Sequence, residues 1–225
     1  MSSFHVLLPV SVLVATCFAL TGCPKAAAPP PPPVPATPSL APPPAPTSPT
    51  KENKPVSDEK TVLVIKTVKG SITVELFDKQ APITAGSFLL LAESGFYNGL
   101  TFHRVVPDFV IQGGDPNGDG SGGPGFTIPD ETGKGFTHYQ GILSMAKTAA
   151  PHTAGSQFFI VTGSARTVQH LNSGFSPFGK VLEGMEVVNQ IKQGDKIEEI
   201  EVQSTSPDAE AAREAAKAAR KPGRK

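Results

Sequence analysis

Fourteen of the chain's 24 prolines fall between Pro24 and Pro55. No helix or sheet interior accepts that density, because each proline removes an N–H and fixes φ. The segment 24–57 is mostly Pro, Ala, Thr and Ser with no apolar period, so it has too little apolar surface to offset the entropy of ordering it. It reads as a spacer. In polyproline II, at about 3.1 Å per residue, such a segment reaches roughly 100 Å. Whatever folds must lie outside it, and the remainder of the 225 residues suits one domain of ordinary size with short extensions.

Ahead of the spacer, Val6 to Leu20 is an apolar run broken by Pro9. It is shorter than the ~20 residues that cross a bilayer and reads as the core of a signal peptide spanning 1–22. The run closes on Leu20-Thr21-Gly22-Cys23, which resembles the lipobox of bacterial lipoproteins. That resemblance implies cleavage before Cys23 and lipidation of Cys23. It thus implies a membrane anchor through Cys23, a tether over 23–57, and a place in the cell envelope, facing the periplasm (the outer membrane favoured) or the exterior. The sequence departs from the pattern in having no Lys or Arg before the apolar run, and Pro24 follows the acceptor directly. Cys17 and Cys23 are the only cysteines, so the folded part holds no disulfide, no thiolate nucleophile and no cysteine zinc site.

From residue 58 to 204 the composition becomes globular. This segment carries eleven basic and sixteen acidic residues, for a formal charge of −5; residues 205–225 carry six basic and three acidic, for +3. The whole chain balances at zero, without the basic surplus that a nucleic-acid binder needs. Residues 61–68 and 71–77 are rich in Val, Ile and Thr and meet at Lys69-Gly70, a hairpin signal. Pro82 opens a helix that Gly95 stops, and a second helix is expected over 185–192. Short apolar runs at 109–111, 142–146, 158–161, 178–182 and 197–202 read as strands, and seventeen of the 22 glycines lie between Gly95 and Gly184. The pattern predicts a mainly β fold, a closed barrel with helical caps. In the tail, Ser206 and Pro207 look like a helix N-cap and first helical position. The Ala/Glu/Lys/Arg run that follows offers no evident apolar face, so a disordered segment or marginal solvated helix is expected.

Three features invite chemistry. Asp115-Pro116-Asn117-Gly118-Asp119-Gly120 copies the start of an EF-hand loop, but the twelfth position, which needs a bidentate Glu, is Phe126. A glycine-rich turn is the better reading. The domain histidines, His103, His138, His152 and His170, include no i, i+4 pair for a metal, and no Gly-x-Ser-x-Gly elbow is present. The third feature is specific: Phe102-His103-Arg104-Val105-Val106-Pro107-Asp108-Phe109-Val110-Ile111-Gln112-Gly113-Gly114-Asp115, followed by Gly141–Ala146, Gly155–Ile160 and Phe178–Val181. Together these resemble the cyclophilins, a family of peptidyl-prolyl cis–trans isomerases, over essentially all of 58–204.

The resemblance implies a closed eight-stranded antiparallel β-barrel capped by two α-helices. It also implies rotation of X–Pro bonds in proline-containing polypeptides, without cofactor or metal, by a monomer. Arg104, Phe109, Gln112 and Phe159 take the catalytic positions. Val110, Ala146, Lys147, Gln157, Leu171 and Phe175 take the substrate-binding ones: Phe109, Phe159 and Leu171 line the proline pocket, Gln112 and Gln157 hold Arg104 and the substrate backbone, and Ala146 and Lys147 meet the residue before proline. The residue types suit the reaction. Twisting an amide needs no covalent nucleophile, only an apolar slot for the ring and a donor for the nitrogen lone pair that localises as resonance is lost. Arg104 supplies a permanently charged, planar donor. Departures lie at the rim: Lys147 stands where many members carry Asn, His170 where some carry the Trp associated with tight cyclosporin binding, and Phe175 where the best-known members place His. Combined with the lipobox, the reading is an exported folding catalyst of the envelope. A proline-segment binding module on the same barrel is the competing class.

Overall fold

The computed structural model describes residues 60–133 and 135–223; the signal peptide, Cys23 and the tether lie outside them. The chain runs β1 (Val62–Thr67), β2 (Gly70–Leu76), α1 (Pro82–Glu93), β3 (Arg104–Val106), β4 (Val110–Gly113), β5 (Phe126–Thr127), β6 (Ile142–Met145), β7 (Phe158–Val161) and α2 (Ala165–Val168). A 3₁₀ turn at Gln169–Ser173 leads to β8 (Ser176–Glu183), α3 (Met185–Val188), β9 (Ile197–Ser204), α4 (Ala209–Ala219) and β10 (Lys221–Pro222). β1 and β2 form the expected hairpin. Thr67 pairs with Gly70, and the Thr67 hydroxyl closes the turn by donating to the Gly70 carbonyl at 2.8 Å.

Eight strands form one antiparallel sheet in the order β3-β4-β7-β6-β8-β2-β1-β9. The expected closed barrel is instead a curled half-barrel. No ladder joins the edge strands β3 and β9 among the described residues; the stretch ahead of β3 meets the start of β9 only through the Thr101–Lys196 bridge and backbone hydrogen bonds donated by Gly99, Phe102, Gly194 and Ile197. β3 is only three residues long and ends at Pro107, which has no N–H to continue a ladder. Counting apolar runs reveals strands, but not whether the two end strands are long enough to zip together.

Both faces of the central strands are buried, which explains their unbroken apolar runs. Along β7, Phe158 and Ile160 enter the main core, while Phe159 and Val161 enter a second cluster on the opposite face. Ile111 of β4 and Leu143 and Met145 of β6 likewise face the main core, and Val110 and Ile142 the second cluster. The main core is built on fully buried aromatics. Phe88 of α1 packs edge-on to Phe158 at 5.2 Å between centroids and tilts against Tyr97 and Phe178, each at 5.0 Å.

The tail corrects two expectations. First, α4 is docked. Ala209, Ala212 and Ala216, spaced as one helical face, are completely buried. They lie against α1 at Gly86, where a Cβ would come within 2.1 Å of the Ala212 carbonyl oxygen. An alanine stripe provides little apolar area, but it permits close backbone approach that bulkier residues forbid. Arg213 adds a two-nitrogen contact to the Glu93 carboxylate at the end of α1. Second, Ser206 is no N-cap, since the helix starts after Asp208. Its hydroxyl donates to buried Asp78 at 2.7 Å and its N–H to Thr61 Oγ1 at 3.0 Å, pinning the chain where β9 hands over to α4. The long second helix is therefore α4. The expected helix over 185–192 is a single turn, α3, continued by i→i−3 backbone bonds at Gln190 and Ile191.

Candidate active site

The sheet register assembles the site. Residues paired across antiparallel strands project to the same face. Arg104 pairs with Gln112, Gln112 with Phe159, and Phe159 with Ser144. One transverse row over β3, β4, β7 and β6 thus carries a cation, an amide, an aromatic ring and a hydroxyl on the face away from the main core.

Below Arg104 lies an apolar basin. Val110, Phe159 and Leu171 are buried in the second cluster, with Phe109, Ala146 and Phe175 packed partly buried against it. Phe175 meets Phe159 edge-on at 5.4 Å. Phe109 lies between the guanidinium of Arg104, 5.8 Å from its centroid, and the imidazole of His170, stacked at 5.5 Å. His170, at the position the resemblance gives to Trp in some members, therefore covers one side of the Phe109 ring. Arg104 is exposed and makes no side-chain hydrogen bond or ion pair among the described residues.

The two glutamines bond differently from expectation. Gln157 donates both amide hydrogens, to the carbonyls of Gly120 and Gly122 at 2.9 Å each, and accepts from Gln112 Nε2 at 3.0 Å. Gln157 is thus saturated and oriented. It braces Gln112 against the glycine loop rather than holding Arg104 directly. Lys147 is tied to Asp130 at 3.4 Å. Asp115 is buried, and its carboxylate accepts the N–H groups of Asn117, Asp119 and Gly120, so the EF-hand-like segment is an inward-facing Asx turn.

His138 was not singled out by the sequence, and the fold places it under the site. Its ring stacks behind Phe159 at 6.0 Å. Asn172 Oδ1 accepts both its backbone N–H and its Nδ1–H at 2.6 and 2.9 Å, so Nε2 accepts from Ser144 Oγ at 3.0 Å. That neutral tautomer matches its pKa, which burial pushes below the usual histidine value. No local pattern marks His138, because its partners lie on other elements.

An apolar cluster of Val110, Phe159 and Leu171, an unpaired guanidinium beside it and an oriented amide next in the row suit a non-covalent amide-twisting site. The family model described as cyclophilin type peptidyl-prolyl cis-trans isomerase/CLD matches residues 62–209. The chain is 50% identical over 133 residues to the peptidyl-prolyl cis-trans isomerase B of Bacillus subtilis, covering 59% of this chain and 90% of that protein. It is 48% identical over 139 residues to an isomerase of Helicobacter pylori, covering 60% and 83%. Among solved structures, a Cryptosporidium parvum cyclophilin type isomerase aligns with a TM-score of 0.60 at 34% identity, over 65% of this chain and 99% of that one. A structure of that isomerase in the presence of the dipeptide Ala-Pro gives 0.59 at 36%, over 64% and 99%. The chain belongs to the cyclophilin family and is a cyclophilin-type peptidyl-prolyl cis–trans isomerase.

Proposed function

We propose that Arg104 is the group that lowers the barrier, with Phe109, Gln112 and Phe159 completing the catalytic set. Val110, Ala146, Lys147, Gln157, Leu171 and Phe175 shape substrate binding. The observation that carries this is the unpaired guanidinium, held beside Phe109 at the lip of the Phe159 basin. Amide resonance imposes a barrier of about 18–20 kcal/mol. As the X–Pro bond twists, the prolyl nitrogen becomes pyramidal and its lone pair becomes an acceptor. A proline ring seated on Phe159, Leu171 and Phe175 brings that nitrogen under Arg104, and an N–H donated there strengthens as the lone pair localises. Gln112, braced by Gln157, offers its carbonyl to a substrate N–H, so the flanking backbone stays fixed while the other half of the peptide turns. Each 1.4 kcal/mol gained this way is tenfold in rate. No bond forms to the enzyme.

The biological reading is an isomerase acting on exported proteins at the cell envelope, monomeric and held through lipid on Cys23 by the tether. It rests on the Leu20-Thr21-Gly22-Cys23 motif and the Pro/Ala spacer. The deciding experiment is proline-peptide turnover by wild type and Arg104→Ala, with folding checked by circular dichroism. A loss on the order of 100-fold in kcat/KM is expected. A folded variant with near-wild-type turnover sinks the assignment.

A further inference from the structure

We propose that the C-terminal strap, α4 and β10, gives this isomerase a preference for substrates with an acidic side chain upstream of the proline, through Lys221. The inference rests on the substrate orientation above, in which residues preceding proline run toward Ala146 and Lys147. In that direction lies a cleft of about 990 Å³ whose walls share Gln112, Ala146 and Gln157 with the site. The far wall is Lys221, Pro222 and Gly223. The family match ends at residue 209, so this wall is built by a segment beyond the matched domain.

The wall is fixed in place. β10 pairs antiparallel with β5, Lys221 opposite Thr127 and Pro222 opposite Phe126. Gly223 donates to the Gly125 carbonyl at 3.0 Å, and the Arg220 guanidinium lies 4.1 Å from the Phe126 ring centroid. Upstream, α4 is locked to α1 at Gly86. The strap is a clamped flank of the cleft, positioned by contacts at both ends.

Its charge is one-sided. None of the described residues lining the cleft is acidic; the titratable ones are Lys147, His152 and Lys221. Both Lys147, at 3.4 Å, and His152, whose Nδ1 accepts the Asp130 N–H at 3.0 Å, already have Asp130 as partner. Asp115 and Asp119, in the neighbouring loop, turn their carboxylates to backbone N–H groups and to Ser121, and neither pairs with Lys221. Lys221 is exposed and has no acidic partner among the described residues. Among the described residues lining the cleft, Lys221 is therefore the lysine without an acidic partner, on a domain of formal charge −5.

The test compares cis–trans exchange, followed by NMR, in peptides Xaa-Ala-Pro-Phe with Xaa as Glu, Gln or Lys, using the full chain. Wild type should favour Glu over Lys by about threefold in kcat/KM at low salt, the size of an exposed ion pair, and salt should erase the preference. The ratio should fall to about one in Lys221→Ala and invert in Lys221→Glu. A chain ending at Arg220, which keeps α4 and the Phe126 stack, should behave like Lys221→Ala. A wild-type ratio of one, or a ratio unchanged in all three variants, overturns the proposal while leaving the isomerase site standing. Absence of turnover for every peptide by wild type overturns the site reading and this proposal together.

Discussion

At the residue scale the site divides between side chains that touch substrate and side chains that hold them. Arg104 belongs to the first kind, and what matters is its shape as well as its charge. Arg104→Lys retains the cation but replaces a planar fork by a point charge on a flexible stem, so turnover is expected to stay at least ~10-fold below wild type. Full activity in Arg104→Lys would reduce the role to electrostatics alone. His138 belongs to the second kind. Its folded pKa lies below the ordinary 6.5, mainly through burial. Below about pH 6.5 the unfolded chain takes up a proton that the native ring resists, so stability falls as pH drops from 6.5 toward the lowered native value. His103 is lowered by the same cause and adds to the trend. The urea midpoint should therefore decline between pH 7.5 and pH 5, and His138→Gln should flatten part of that decline. An equally steep decline in His138→Gln would show that the ring is not the sensor.

At the element scale the least expected feature is the contact between α1 and α4. α1 is buried on nearly every side because the sheet takes one face and α4 another. Gly86 lies directly against the Ala212 carbonyl. Gly86→Ala adds one methyl where the Ala212 carbonyl leaves no room, and overpacking of this sort costs about 1–3 kcal/mol. For a domain of this size that corresponds to a drop of roughly 2–10 °C in Tm, measurable by calorimetry. An unchanged or raised Tm would mean that α4 can shift away without cost and that its docking is loose. Since β10 follows α4 directly, the same variant should also weaken the Glu-over-Lys preference if the strap sets it.

At the scale of the whole molecule, the proposed anchor and the isomerase domain are separable by construction, since the spacer between them has no apolar stripe. Each buried CH₂ of an acyl chain is worth about 0.8 kcal/mol, and several chains hold a protein where one does so only marginally. Cys23→Ser should therefore abolish fatty-acid labelling and shift the protein out of the membrane fraction, or leave its signal uncleaved, while proline-peptide turnover stays at the wild-type level. Labelling that persists in Cys23→Ser would remove the anchor from the proposal.

The sequence by itself determined the features that are local in the chain. Val/Ile/Thr runs around Lys69-Gly70 predict a hairpin, Pro82 opens a helix, and the 102–115 stretch carries most of the site because its residues share two paired strands. Tertiary structure alone decided whatever depends on partners distant in the chain. The sheet stays open because its end strands fail to pair. His138 lies behind Phe159 because Asn172 and Ser144 hold it there. The alanines of 209–216 become a docking face only because Gly86 lets the backbones close. Lys221 reaches the cleft only because a ladder joins it to Thr127, some ninety residues earlier in the chain. Hydrogen-bond ladders and close helix packing depend on backbone placement rather than side-chain type, and so leave little trace in local composition.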